Sequence, residues 1–178
     1  MEKRKLILYI ASSLDGYIAT DDHNLDWLFT VDGEGDNGYS NFYDTIDTIL
    51  LGRITYDWIM KHENNIFPYK NKKCYVFSKE KRDNTEHVTF IQNDIIKFVN
   101  DLKHNNGKNI WIVGGSNLLS TFFQEKLIDE IIITIAPVLI GKGIPLFKEN
   151  DYKTLLKLKN IKQYNQLVEL YYDVIKDM

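Results

Sequence analysis

Apolar residues fall in short runs along this chain, and two periods carry them. Lys5 to Ser12 is an apolar run of strand length and reads as a central strand. Asp47 to Leu51, Tyr75 to Phe77, Val88 to Ile91, Ile110 to Val113 and Ile131 to Ala136 read as further strands. Between them, apolar positions recur at helical spacing. Asp94 to Lys103 puts Ile95, Phe98, Val99 and Leu102 on one face, and the stretch after Gly115 does the same with Leu118, Leu119, Phe122 and Phe123. Ser40 to Thr45 and Arg53 to Lys61 read as helices, the second starting directly after a strand. The tail changes period. Leu155 to Tyr164 and Leu167 to Ile175 largely alternate, and Asn165-Gln166 joins them as a hairpin.

Strands alternating with helices, then a strand-only tail, predict an α/β fold: a mainly parallel sheet, helices on both faces and an antiparallel hairpin at one edge. With 178 residues, 44% of them apolar, a single domain over 1–178 has enough material for one sizeable core. Ser13 to Ala19 leaves the first strand through a turn at Asp15-Gly16. Residues 20 to 38 are polar and glycine-rich. So long a loop in a compact domain is expected to be functional or mobile, with Trp27, Leu28 and Phe29 pinning it. Pro137 to Phe147 reads as a second loop.

Charge narrows the partners. The balance is 22 − 25 = −3, and the basic residues are scattered, which argues against a nucleic-acid face. Cys74 is the single cysteine, so neither an intramolecular disulfide nor a cysteine-based zinc cluster is expected. His23, His62, His87 and His104 are isolated and show no metal-ligand spacing. The charged start, Met1 to Lys5, is followed by an apolar run too short for a signal peptide, and no stretch approaches membrane-spanning length. A cytoplasmic protein with no membrane partner is the expectation.

Three strand ends carry groups that suit an anion. Gly52-Arg53-Ile54-Thr55 follows the second strand, Ser78-Lys79 the third, and Gly114-Gly115-Ser116-Asn117 the fifth. Glycines bare the backbone amides, Ser116 is placed to cap the helix that follows, and Arg53 suits bidentate contact with phosphate. Each group alone also reads as an ordinary turn or strand end. Their shared position suggests a dinucleotide lying beyond the carboxyl ends of the strands. Neither G-x-G-x-x-G nor G-x-x-x-x-G-K-[ST] occurs.

Ser13-Leu14-Asp15-Gly16-Tyr17-Ile18-Ala19, Leu50 to Tyr56, Val113-Gly114-Gly115-Ser116 and Ala136 to Phe147 together resemble the dihydrofolate reductase superfamily. Within it they resemble the branch related to the reductase domain of the riboflavin-pathway deaminase–reductase (RibD C-terminal-like). The resemblance runs over nearly the whole chain, in the same order. It implies a dihydrofolate reductase-like three-layer sandwich around a mainly parallel, eight-stranded sheet. It also implies NADPH across the strand ends and hydride transfer to a small heterocycle, either pterin- or dihydrofolate-like or 5-amino-6-ribosylaminouracil-like.

Carried over by position, Ala11 and Ile18 flank the nicotinamide. Gly52, Arg53, Ile54 and Thr55 hold the pyrophosphate and the 2′-phosphate side, and Ser78 and Lys79 approach the adenosine phosphate. Gly114, Gly115, Ser116, Asn117 and Leu118, with Val113 just before them, line the pyrophosphate and nicotinamide. The resemblance further implies a cis peptide between the paired glycines and a homodimer through the sheet edge or hairpin face.

The sequence also departs from the pattern. The Pro-Cys-x-x-Cys of the deaminase half does not occur, and Val113 stands where the riboflavin branch places an acid. For the carboxyl that assists a folate-type substrate, counting back from Gly52 reaches Asp36, and Asp15 is the other candidate. Both also read as turn or loop residues. Thr134 falls where that branch keeps a hydroxyl near its acid. A protein of this fold that binds a nucleotide or small ligand and reduces nothing is the alternative reading.

Overall fold

The aliphatic runs become the inner strands of one eight-stranded sheet. The structure, a computed structural model, describes residues 3–149 and 153–176, so the first two residues of the charged start and the last two of the 1–178 span lie outside it. In chain order the elements are β1 (Leu6–Ser13), β2 (Tyr17–Ala19), α1 (Asp26–Phe29), α2 (Tyr39–Tyr43), β3 (Ile46–Gly52), α3 (Arg53–His62), β4 (Lys73–Phe77) and β5 (Val88–Ile91). They continue with α4 (Ile95–His104), β6 (Asn109–Gly114), α5 (Ser116–Gln124), β7 (Glu130–Ala136), β8 (Ile144–Pro145), β9 (Leu155–Tyr164) and β10 (Leu167–Ile175).

The strand order is β5-β4-β3-β6-β1-β7-β10-β9. Every pairing from β5 to β7 is parallel, and β7–β10 and β10–β9 are antiparallel. Parallel strands end on the same side, so the carboxyl tips of β1, β3, β4, β5, β6 and β7 share one edge. The β9–β10 turn joins them there, because Val168 pairs with Ile135 near the end of β7. The opposite edge is a base locked by ion pairs: Arg4 with Asp47, and both Lys103, at 2.5 Å, and Lys176 with Asp129. β1 starts and β10 finishes at this base.

Helices cover both faces. Val99 and Leu102 of α4 and Leu118, Leu119, Phe122 and Phe123 of α5 pack on Leu6, Leu8, Leu50, Ile110 and Ile112. On the other face Phe42 of α2 and Tyr56 and Ile59 of α3 pack on Ile7, Ile49, Leu51 and Trp111. Each such side chain, fully buried, stabilises by about 1.5–3 kcal/mol.

The predicted elements are present with ends moved by one or two residues. Helix α4 starts one residue late because Asp94 is its cap, with its carboxylate accepting from the Lys97 amide at 3.0 Å. Two segments read as turn and loop contribute extra strands: β2 and β8 form a separate antiparallel pair. Gly143 permits this approach, since a Cβ there would fall 2.2 Å from the Ala19 carbonyl oxygen. Residues 26–29, read as part of the long loop, form the short helix α1.

Candidate active site at the strand tips

β3, β4 and β6 finish almost level. Gly52 pairs with Phe77, and Leu51 pairs with Gly114. Helix α3 starts straight after Gly52 and α5 straight after Gly115, and neither N-terminus has a side-chain cap. Two sets of first-turn amides are therefore presented side by side, with both helix dipoles favouring an anion at that edge. Ser116 is not the cap expected of it. Gly115, at φ 96 and ψ 107, makes the turn and places Ser116 inside the helix. The expected cis peptide is also absent, as the described residues contain none. The chain turns instead through positive φ at both Gly114 (138°) and Gly115 (96°), which glycine permits while both peptides stay trans.

The two turns stand in van der Waals contact with each other. A Cβ on Gly115 would lie 3.4 Å from Thr55 Oγ1 and 3.7 Å from the Gly52 Cα; one on Gly52 would lie 3.5 Å from the Gly114 oxygen. Gly52, Thr55, Gly114, Gly115 and the buried Leu118 thus share one small volume. Ile54 and Asn117 are exposed beside it, and Lys148 donates to Asn117 Oδ1 at 2.6 Å, which brings an ammonium to the first turn of α5.

Arg53 pairs with Asp57 at 3.0 Å, and Arg82 reaches the same carboxylate at 2.7 and 3.2 Å. Two guanidinium groups therefore stand beside the α3 N-terminus. Sequence reasoning missed Arg82. Its signal was the basic stretch Lys79-Glu80-Lys81-Arg82 after the third strand. Ser78 is buried and its hydroxyl closes the turn after β4, donating to the Glu80 carbonyl and accepting from the Glu80 amide. Lys79 is exposed.

Toward the centre of the sheet, Ala11 and Ile18 are half-buried, and Val113 is half-buried on β6. Asp15 accepts from Ser13 Oγ (2.6 Å), the Gly141 amide (2.7 Å) and the Ile140 amide (3.1 Å), which docks the second loop against the β1–β2 turn. These bonds, that from Ser13 foremost, hold its carboxyl below the usual aspartate range. Asp36 accepts from the Ser40 and Gly38 amides at 2.8 and 3.0 Å at the start of α2, and it too is lowered, chiefly by Ser40. Thr134 does meet a carboxylate, but from neither candidate. Its hydroxyl donates at 3.1 Å to Glu169 on β10, which is 1% exposed. Glu169 escaped the sequence reading because both faces of β10 carry apolar residues. The available signal was its phase with Leu167, which is buried.

Residues 20–38 are tied at both ends. Trp58 Nε1 donates to the His23 carbonyl at 3.1 Å, and the hairpin turn holds Asp32 and Gly33 through the Gln166 amide and Asn165 Nδ2. Trp27 and Leu28 are half-buried, whereas Phe29 is 77% exposed and pins nothing. The Trp27 indole nitrogen is buried and, among the described residues, has no hydrogen-bond partner. No group of three or more histidine, cysteine or acidic residues among the described residues is placed for a metal ion. No helix in the described residues is long and apolar enough to cross a membrane.

Comparison with known proteins gives three kinds of likeness. The chain matches the RibD C-terminal domain over residues 4–170. It is 51% identical over 171 residues to the uncharacterized protein YwjB of Bacillus subtilis (strain 168), covering 96% of this chain and 98% of that one. Among solved structures, a putative riboflavin biosynthesis protein from Shewanella sp. PV-4 superposes with a TM-score of 0.86 at 28% identity, covering 97% of this chain and 99% of that one. Dihydrofolate reductase from Enterococcus faecalis, complexed with NADP(H), shares the fold at 18% identity and a TM-score of 0.62, covering 95% and 96%.

Proposed function

The chain belongs to the RibD C-terminal domain family, and on that premise we propose that it is an NADPH-dependent reductase of a small heterocycle, either pterin- or dihydrofolate-like or 5-amino-6-ribosylaminouracil-like. The observation that carries this reading is the pair of uncapped helix N-termini meeting at Gly52 and Gly115, with the positive φ of Gly114 and Gly115 favouring residues without side chains in the turn between them. That cradle suits a pyrophosphate, and Arg53 and Arg82 suit a further phosphate beside it. The residues present therefore fit NADPH, and the bound NADP(H) of the Enterococcus faecalis fold neighbour supports the choice.

When bound, NADPH supplies the hydride. The chain supplies position. Amides of the α3 and α5 first turns hold the diphosphate, and Ala11 and Ile18 give a half-buried floor for the nicotinamide end. The segment 20–38, fixed at α3 and at the hairpin turn, would shield that end from water.

One observation favours the second reading, a protein of this fold that binds without reducing. Asp15 and Asp36 both spend their oxygens on backbone amides and hold carboxyls lowered in pKa, so neither is a ready proton donor. Titration with NADPH, followed by quenching of Trp27, Trp58 and Trp111 fluorescence, is expected to saturate at micromolar cofactor. Loss of absorbance at 340 nm with dihydrofolate or the ribosylaminouracil then identifies a reductase. No saturable binding of NADPH by folded protein would refute the reductase reading, and binding with no turnover of either substrate selects the second.

A further inference from the structure

Asn-Gly occurs twice in this chain, at Asn37-Gly38 and at Asn106-Gly107. The dipeptide carries a chemistry of its own. The asparagine side chain offers an amide carbon to the backbone nitrogen of the next residue, and glycine has no Cβ to obstruct the approach. What surrounds the pair decides whether the two atoms meet, and the fold treats its two copies oppositely.

Asn37 is held. Its Oδ1 accepts from the Glu34 amide at 2.8 Å, and its own amide donates to the Glu34 carbonyl at 2.9 Å. The Gly38 nitrogen, the attacking atom, donates to Asp36 Oδ1 at 3.0 Å. Tyr164 closes over Gly38, where a Cβ would lie 2.2 Å from the phenol oxygen. Asn106 is free. It and Gly107 are exposed in the bend between α4 and β6. Among the described residues, neither the Asn106 side chain nor the Gly107 nitrogen has a hydrogen-bond partner. The ends of the bend are anchored: Asn105 donates to the Leu102 carbonyl at 3.2 Å, and the Lys108 amide donates to Asp47 Oδ2 at 2.8 Å. Gly107 lies close against the base. A Cβ on it would fall 2.6 Å from Asp47 Oδ2 and 2.9 Å from Arg4 Cζ.

We infer that Asn106 is a site of spontaneous covalent modification, and that the modification loosens the base of the molecule. The Gly107 nitrogen gives its proton to water and bonds to Asn106 Cγ. The Cγ–Nδ2 bond breaks, and the leaving nitrogen takes up a proton and departs as ammonia. The five-membered imide that remains is opened by water at either of its carbonyl carbons. Opening at Cγ gives aspartate. Opening at the main-chain carbon gives isoaspartate, in which the chain runs through Cβ and Cγ and the former main-chain carbon is a free carboxylate. Nothing is oxidised or reduced, and water is the co-reactant.

Either product puts a negative charge on a bend that already touches Asp47. Isoaspartate also lengthens the main chain by one carbon, where Gly107 has no slack between Asp47 and Arg4. Both changes bear on the Arg4–Asp47 pair, whose guanidinium is buried and also donates to Thr48 Oγ1 at 2.6 Å. A buried cation that loses its partner is costly to keep.

Incubation of the whole protein in warm, mildly alkaline buffer tests this. Peptide mass spectrometry reads conversion at each asparagine, and labelling by an isoaspartyl methyltransferase reads the isoaspartate. Asn106 is expected to convert at least tenfold faster than Asn37 in folded protein, and the two rates should agree within about twofold in urea-unfolded protein. The aged wild type should melt at a lower temperature than the fresh protein, while aged Asn106→Ser keeps its melting temperature and loses most of the methyl label. Asn37 converting as fast as Asn106 in the folded state, no conversion at Asn106, or a tenfold ratio that persists in urea overturns the assignment. An aged, converted wild type that melts unchanged overturns the loosening of the base.

Discussion

Arg53 and Arg82 share the carboxylate of Asp57 beside the α3 N-terminus, and this shapes the cofactor prediction. If both guanidinium groups turn to a 2′-phosphate, Arg53→Ala and Arg82→Ala should each cost NADPH binding about 1.5–3 kcal/mol, with little loss for NADH. Parallel dissociation constants for the two cofactors check this, and equal losses would reject the phosphate role. Asp15 makes a prediction with a sign. Its folded pKa is depressed below the ordinary 3.8, so its contribution to stability is present above that value and fades as pH falls through the lower folded one. The melting-temperature gap between wild type and Asp15→Asn should be constant above pH 3.8 and shrink below it. A gap that widens in acid contradicts the assignment. At this scale the sequence was legible where backbone geometry demands a residue type, as at Gly114 and Gly115, both at positive φ. It was silent where tertiary neighbours decide, as with Glu169 on a strand apolar on both faces, and Arg82, whose carboxylate lies 25 residues away.

Helix α5 shows how an element positions chemistry. Its buried face, Leu118, Leu119, Phe122 and Phe123, locks it onto β6 and β1, and that packing aims its N-terminus at the cradle. Phe122 is fully buried against Phe77, so Phe122→Ala should destabilise the fold by about 3–5 kcal/mol, read by urea denaturation. A loss under 1 kcal/mol would mean that the helix is held elsewhere. The period of this helix and the alternation of the hairpin were both readable from the sequence, the hairpin to the residue. The β2–β8 pair was not, because it is short and depends on Gly143 meeting the Ala19 carbonyl across 124 residues. The conformation of the paired glycines was misread, since positive φ at two successive residues turns the chain without a cis bond.

The molecule as a whole is polar in design: tips that gather the ligand groups, and a base tied by ion pairs. Its far edge carries a further prediction. A bulge between Tyr171 and Tyr172 shifts the register so that Leu156, Leu158 and Ile161 of β9 all lie on one face, each 40–55% exposed. A second copy covering that stripe would bury it. Sedimentation velocity should then report two chains for wild type and one for Leu158→Glu with Ile161→Glu. A wild type of single-chain mass counts against the homodimer.

The base has a practical side. Lys3 leads into β1 and Lys176 follows β10, so both described ends emerge on the side away from the cradle. A surface tether or a fused reporter attached at either one should hold the molecule upright with its mouth turned toward the bulk solution. Immobilised protein would then respond to ligand much as it does when free.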